Sequence, residues 1–278
     1  MRRGRQALVG LDLDNTLIDY DAVFGPVGVE LGLLPAELST APKAAVRAWL
    51  RRRADGETDW MRLQGQVYGR YIGRARLFDG VSECLGRLRD GGAGFAIVSH
   101  KTRHGHFDPR RTDLREAALG WLEARGFFDP GGIGLRRDRV LFEETREAKL
   151  ARIAALGCDL FIDDLPEVLL HADFPPRTTP LWFAGAGPAA ADPARPDPGP
   201  DAVGDRPEAA GPAPVAAGDG LVPYRTWREL SEAALAVLAK TGVARHAPAT
   251  RKGLEAVPDP VKSAGEAPLI RPEMPGAA

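Results

Sequence analysis

Apolar runs of three to five residues, most of them closed by a charged or hydroxyl side chain, recur along this chain. They are "ALVGL" at 7–11, "GFAIVS" at 94–99, "RVLFEE" at 139–144, "DLFID" at 159–163 and "PLWFA" at 180–184. Runs this short suit strands covered on both faces better than they suit helices. Between them the apolar spacing turns helical. One helix is expected at 82–90, stopped by Gly91 and Gly92. A second carries Leu114, Ala118, Trp121 and Leu122 behind an Asp113/Glu116 cap and closes at Gly126. A third is expected at 146–156, stopped by Gly157. Strands alternating with helices need crossover connections. They imply an α/β fold, a Rossmann-like, doubly wound, mainly parallel sheet. Ligands of such sheets bind at the carboxyl ends of the strands. Asp12, Ser99 and Asp163 all fall there.

The stretch from Asp19 to about Leu77 breaks this alternation, and no strand is expected in it. Pro42 suits a first helical turn, with Val46, Trp49 and Leu50 on one face and Gly56 as a stop. Thr58 or Asp59 then caps a helix carrying Leu63, Val67, Tyr68, Tyr71 and Ile72. Residues 19–77 therefore read as a helical insert after the first strand, with the core in 1–18 and 78–184. Residues 185–222 are dominated by Ala, Pro, Gly and Asp. Such a stretch cannot bury enough apolar area to offset its ordering entropy, so a disordered insertion is expected. A helix over 223–242, opened by a Thr226/Glu229 capping box, is expected to fold back on the core. Its stripe is Trp227, Leu230, Ala234, Leu235 and Leu238. Residues 243–278 read as a disordered tail.

A net charge of −1 over 278 residues gives no general pull toward nucleic acid or an anionic membrane. No apolar run approaches the roughly 20 residues that span a bilayer. The basic start "MRRGR" precedes only about five apolar residues, short of a signal-peptide core. Cys84 and Cys158 stand far apart, outside any metal or disulfide pattern. A cytoplasmic protein with no nucleic-acid or membrane partner is expected. Its oligomeric state is not set by these features.

Asp12 and Asp14 close the first strand one residue apart, in "GLDLDNT". Charges at the end of a buried strand are costly unless something pairs with them. An aspartate can act as nucleophile toward phosphorus, giving an acyl phosphate. The carboxylate and the phosphate repel each other, so a cation must sit between them, and hard oxygen ligands suit Mg²⁺. A second acid must protonate the leaving oxygen and later activate water. Thr16 adds a hydroxyl at the same turn. "FIDDLPE" supplies Asp163, Asp164 and Glu167 for a cation. Ser99 and Lys149 are placed to grip phosphate oxygens.

The order DLDNT, a Ser at a strand end, a Lys, then DD-x-x-E resembles the haloacid dehalogenase superfamily. All four of its motifs occur in order across residues 7–184. The resemblance implies a Rossmann-like core with a helical cap inserted after the first motif, matching 19–77. It implies Asp12 as nucleophile and Asp14 as general acid and base. Mg²⁺ would be held by Asp12, the Asp14 carbonyl and Asp163, with Asp164 or Glu167 in support. Ser99 and Lys149, with Thr16, would bind the phosphoryl group. Dehalogenases and phosphonatases of that family lack an Asp at the place of Asp14, so the resemblance favours phosphate esters. The expected activity is a Mg²⁺-dependent phosphatase acting on a small phosphorylated molecule. A phosphomutase or phosphotransferase would use the same residues. A non-catalytic phospho-ligand-binding module would not require Asp14.

The loop "HKTRHGHFDPRR" at 100–111 follows Ser99. His100, Lys101 and Arg103, with Glu167, are candidates for contact with substrate. An ordinary solvated basic loop is the competing reading. The spacing of Trp60, Tyr68 and Tyr71 is that of core packing rather than of a pocket.

Overall fold

The computed structural model describes residues 5–185 and 220–240. The chain opens with β1 (Leu8–Leu11), β2 (Ile18–Asp19), α1 (Asp21–Glu30), α2 (Lys43–Arg51) and α3 (Gly56–Tyr68). Next come β3 (Arg76–Leu77), α4 (Val81–Asp90), β4 (Gly94–His100), α5 (Leu114–Ala124) and β5 (Val140–Glu143). It continues through α6 (Arg146–Leu156), β6 (Leu160–Asp163), α7 (Pro166–Leu169) and β7 (Thr179–Phe183), and ends in β8 (Pro223–Tyr224) and α8 (Trp227–Lys240).

Six strands form one sheet in the order β5-β4-β1-β6-β7-β8, and every neighbouring pair is parallel. The chain builds outward from β1 through β4 to β5, then returns to the other side of β1 for β6, β7 and β8. The direction reverses between β1 and β6, and the crevice of a doubly wound sheet opens at such a reversal. Period-two alternation supplies two buried faces. Phe95 and Ile97 of β4 and Leu160 and Ile162 of β6 belong to the larger core, with Leu85 and Leu88 of α4 and Leu230 of α8. Val98 and Phe161 point the other way and pack with Ile153 of α6 and Leu169 of α7. Gly10 is required on this second face, because a Cβ there would lie 2.4 Å from the Phe161 ring. In α8, Trp227 and Leu230 are fully buried, which contributes roughly 1.5–3 kcal/mol per side chain.

The helical stretch differs from expectation at two points. Gly56 does not stop a helix but begins α3, and neither Thr58 nor Asp59 caps it. The preceding residue, Asp55, makes no side-chain cap bond either. A Cβ on Gly56 would meet the Leu50 carbonyl at 1.9 Å, so this glycine serves the tight junction of α2 and α3. A strand pair is also present where none was expected. β2 and β3 run antiparallel, Ile18 opposite Leu77 and Asp19 opposite Arg76, with an Asp19–Arg76 ion pair at 3.1 Å. Two-residue strands carry no period to read.

Elsewhere, β8 adds a short edge strand beside β7, pairing Phe183 with Tyr224. It occupies the first residues of the stretch 223–242 expected as helix, and α8 begins only at Trp227. Pro223 is tolerated there because an edge strand has a side without a partner. The Thr226/Glu229 cap forms as a reciprocal pair at 3.2 and 3.3 Å. Asp113 accepts from the amides of Arg115 and Glu116. The expected insertion and tail lie almost wholly outside the described residues.

Candidate active site

β1 delivers Asp12 to the reversal point, where its amide donates to the Ile162 carbonyl of β6 at 2.9 Å. The chain then turns tightly. The amides of Leu17 and Ile18 both return to the Leu13 carbonyl, and Asn15 takes a left-handed conformation at φ 60°. Asparagine tolerates that conformation better than most residues. The turn carries Asp14 and Thr16 past the strand end. β6 delivers Asp163 and Asp164 beside them. One oxygen from each of Asp12, Asp163 and Asp164 lies within 4.8 Å of the others. Asp163 Oδ1 accepts from the Leu165 amide at 2.9 Å, whereas its Oδ2 makes no aligned hydrogen bond.

Lys149 enters from α6, whose cap is the Thr145 hydroxyl on the Ala148 amide. Its ammonium lies 2.7 Å from Asp12 and 2.7 Å from Asp163, and all three side chains are buried. Thr16 Oγ1 donates to Asp12 Oδ2 at 3.0 Å and lies 3.2 Å from Asp164 Oδ1. The Thr16 carbonyl in turn accepts from the indole of Trp227 at 3.2 Å, a contact spanning 211 positions.

Asp14 has its own surroundings. Tyr20 donates its hydroxyl to Asp14 Oδ1 at 2.6 Å. Lys101, fully buried, places its ammonium 2.7 Å from Asp14 Oδ2 without an aligned hydrogen bond. That ammonium also sits over the Tyr68 ring at 5.1 Å. Lys43 reaches from α2 to Asn15 Oδ1 at 3.1 Å and to the Tyr68 hydroxyl at 3.0 Å. The helical stretch is thereby tied to the turn that holds Asp14.

Four aspartates here face two fully buried ammonium groups. The excess of negative charge, and the unaligned oxygen of Asp163, fit a divalent cation bound to carboxylate oxygens. Burial pushes the Asp12 carboxyl up to about 6; Lys149 opposes this, and Asp163 and Asp14 add to it. Burial, with Asp12 and Asp163 nearby, also holds Asp164 well above the usual carboxylate range. For Lys149, burial works against the charge, but Asp12 and Asp163 outweigh it and hold the ammonium above its ordinary value.

A raised carboxyl contributes its full stability only below its unfolded value. For Asp12 that contribution is present below 3.8 and lost as pH rises through about 6. Lys149 stays charged throughout this window and does not change the sign. Protein kept in chelator is expected to lose stability, on the order of 3 kcal/mol, between those values. Added Mg²⁺ is expected to raise the melting temperature more at neutral pH than at pH about 4, because ionised carboxylates are the ligands. Thermal melts across pH with chelator and with Mg²⁺ check this.

Ser99 is buried at the carboxyl end of β4, and Leu11 pairs with Ile97, so Ser99 lies level with the turn after β1. Arg103 is exposed and pairs with Asp113 at 2.9 Å. His100 Nε2 lies 2.9 Å from the Glu144 carbonyl. Glu167 Oε1 is buried without a hydrogen-bond partner among the described residues. Trp60, Tyr68 and Tyr71 are all buried. Tyr20, Lys43, Tyr68 and Trp227 reach the site from segments that its motifs do not include. Lys101, expected among the candidates for contact with substrate, lies against Asp14; it follows Ser99 by two residues and so lies on the same side of the extended chain.

No family model matches the chain, and no curated protein matches it. Solved structures do resemble it. A HAD-superfamily hydrolase from Ehrlichia chaffeensis is 14% identical with a TM-score of 0.46, covering 86% of this chain and 100% of that one. A HAD family hydrolase from Deinococcus radiodurans, with bound phosphate and sodium, is 20% identical with a TM-score of 0.42, covering 87% and 98%. A haloacid dehalogenase-like hydrolase from Xanthomonas campestris is 15% identical with a TM-score of 0.42, covering 86% and 99%. The chemistry of the site rests on its own residues. Among the described residues no helix is long and apolar enough to cross a membrane.

Proposed function

We propose that the protein is a Mg²⁺-dependent phosphatase that hydrolyses a small phosphate monoester through an aspartyl-phosphate. One observation carries this reading: Asp12, Asp163 and Asp164 converge around the buried Lys149 at the reversal point of the sheet. The order of the four motifs, which resembles the haloacid dehalogenase superfamily, supports the same reading.

An Asp12 oxygen attacks phosphorus as the ester P–O bond breaks, and Asp14 gives its proton to the departing oxygen. Asp14 then takes a proton from water as the water oxygen attacks phosphorus. The bond between phosphorus and Asp12 breaks, phosphate leaves, and both carboxyl groups return to their starting states. Lys149 offsets negative charge on the transferring group, and Ser99 donates to it. Thr16 orients Asp12. A Mg²⁺ held by Asp12, the Asp14 carbonyl, Asp163 and Asp164 would supply the positive charge that lets a phosphate dianion approach a carboxylate.

Release of phosphate from an aryl phosphate and a panel of phosphorylated metabolites, with Mg²⁺ and with chelator, tests the reading. Metal-dependent release is the expected result, and background rates across the whole panel would overturn it. Transfer to an added alcohol or sugar phosphate instead of water would identify a phosphotransferase or mutase.

Tyr20 and Lys101 hold the two oxygens of Asp14, so they should affect turnover more than binding. Tyr20→Phe is expected to lower kcat about tenfold with little change in KM, the size of effect that loss of positioning of an acid/base group gives. Steady-state kinetics checks this, and an effect confined to KM would contradict the assignment.

A further inference from the structure

A second concave surface lies between α3 with its preceding loops and the segment 104–111. It is a cavity of about 830 Å³, lined by Arg62, Arg70, Arg110 and Arg111. Only Arg62 has an ion-pair partner close by, Asp59 at 3.1 Å. Arg70, Arg110 and Arg111 are exposed and form no ion pair among the described residues, in a chain whose net charge is only −1. The one acidic residue in the lining, Asp108, is buried and committed to the loop. It accepts from the Arg110 amide at 3.1 Å, the Thr112 amide at 2.8 Å and Gln66 Nε2 at 3.1 Å.

The cavity wall is not only cationic. Phe107 is 52% exposed, and Leu31 and Leu33 line the same space. Phe107 and Arg111 have φ of 57° and 48°, left-handed conformations that cost energy for such residues and need a surrounding that imposes them. That surrounding is present. A Cβ on Gly105 would lie 2.5 Å from Gly65 Cα, so the loop backbone rests directly on α3. The Asp108 bonds lock the rest. The segment thus holds the exposed Phe107 ring on a wall shared with Arg110, Arg111 and, from just beyond α3, Arg70, which lies over the Tyr71 ring at 5.2 Å and near enough to Glu30 to help lower its carboxyl.

We infer that this cavity is a binding site for a nucleoside polyphosphate, its phosphates held by Arg70, Arg110 and Arg111 and its base against Phe107. Guanidinium forks match phosphate oxygens in pairs. An aromatic face stacks on any base. The site is separate from the carboxylate cluster and goes beyond the proposed hydrolysis. It does not require the cation.

The test is calorimetric titration of the full chain with ATP and with inorganic tripolyphosphate, in chelator. ATP is expected to bind with a Kd between about 1 μM and 1 mM and more tightly than tripolyphosphate. Arg110→Ala/Arg111→Gly, the glycine keeping the left-handed backbone, is expected to weaken both ligands about tenfold or more. Phe107→Gly is expected to weaken ATP about tenfold and leave tripolyphosphate unchanged. Asp12→Asn should bind ATP like the wild type, and the arginine variant should keep its melting temperature and its rate on an aryl phosphate. Absence of saturable binding would overturn the inference. So would arginine variants that bind like the wild type, equal affinity for the two ligands, or loss of binding in Asp12→Asn.

Discussion

Asp12→Asn is expected to reduce phosphate release by about 10³-fold or more, because the amide cannot form the acyl phosphate. The same change should leave the fold intact. Burial already pushes the Asp12 carboxyl up to about 6, so in the absence of a cation its charge is a burden that the amide removes. The new carboxamide would keep a hydrogen-bonding oxygen for Thr16, and Lys149 would keep Asp163. The melting temperature in chelator should therefore equal or exceed that of the wild type. Acid quenching of the wild type with labelled substrate should trap phosphate on protein, and the variant should trap none. Equal rates for the two proteins would remove Asp12 from the chemistry.

Lys149→Met is expected to be the most damaging substitution for stability. It deletes the ammonium that lies 2.7 Å from both Asp12 and Asp163 and leaves their charges buried together. Breaking a buried ion pair from one side costs about 3–5 kcal/mol. Turnover should fall about 10²-fold or more as well, since charge on the transferring phosphoryl group loses its partner. Two measurements separate these effects. Lowering the pH toward 5 in chelator should recover much of the stability, because the unpaired carboxylates protonate, but none of the turnover. Mg²⁺ at neutral pH should restore part of the stability by supplying another positive charge. A variant as stable as the wild type at neutral pH in chelator would show that the lysine does not carry the charge balance.

Residues next to each other in sequence were the legible part of this site. The apolar runs ending in Asp12, Ser99 and Asp163 announce both the strands and the side on which they open. The helices of the core with glycine stops were equally plain, as at Gly157, where φ is 62°, whereas Gly56, expected as a stop, begins α3. The strand pair β2–β3 and the edge strand β8 were not legible, because two residues carry no period and their pairing is set by contacts between distant segments. The same holds within the site. Lys43 reaches Asn15 from α2 and Tyr68 comes from α3, positions fixed by how three helices pack. The segment 100–111 reads as a single basic loop in sequence. In the fold it divides: Lys101 is buried against Asp14, whereas Arg110 and Arg111 face an outer cavity.

The bond from the Trp227 indole to the Thr16 carbonyl links the start of the chain to its last described helix. A ribosome builds Asp12, Asp14, Lys149, Asp163 and Asp164 well before residue 227. During that interval the nascent chain holds every acid of the cluster but lacks the indole bond to the Thr16 carbonyl. Docking of α8 then adds that bond beneath the carboxylate cluster, so loss of the last helix would be felt at the turn carrying Thr16 as well as along the sheet.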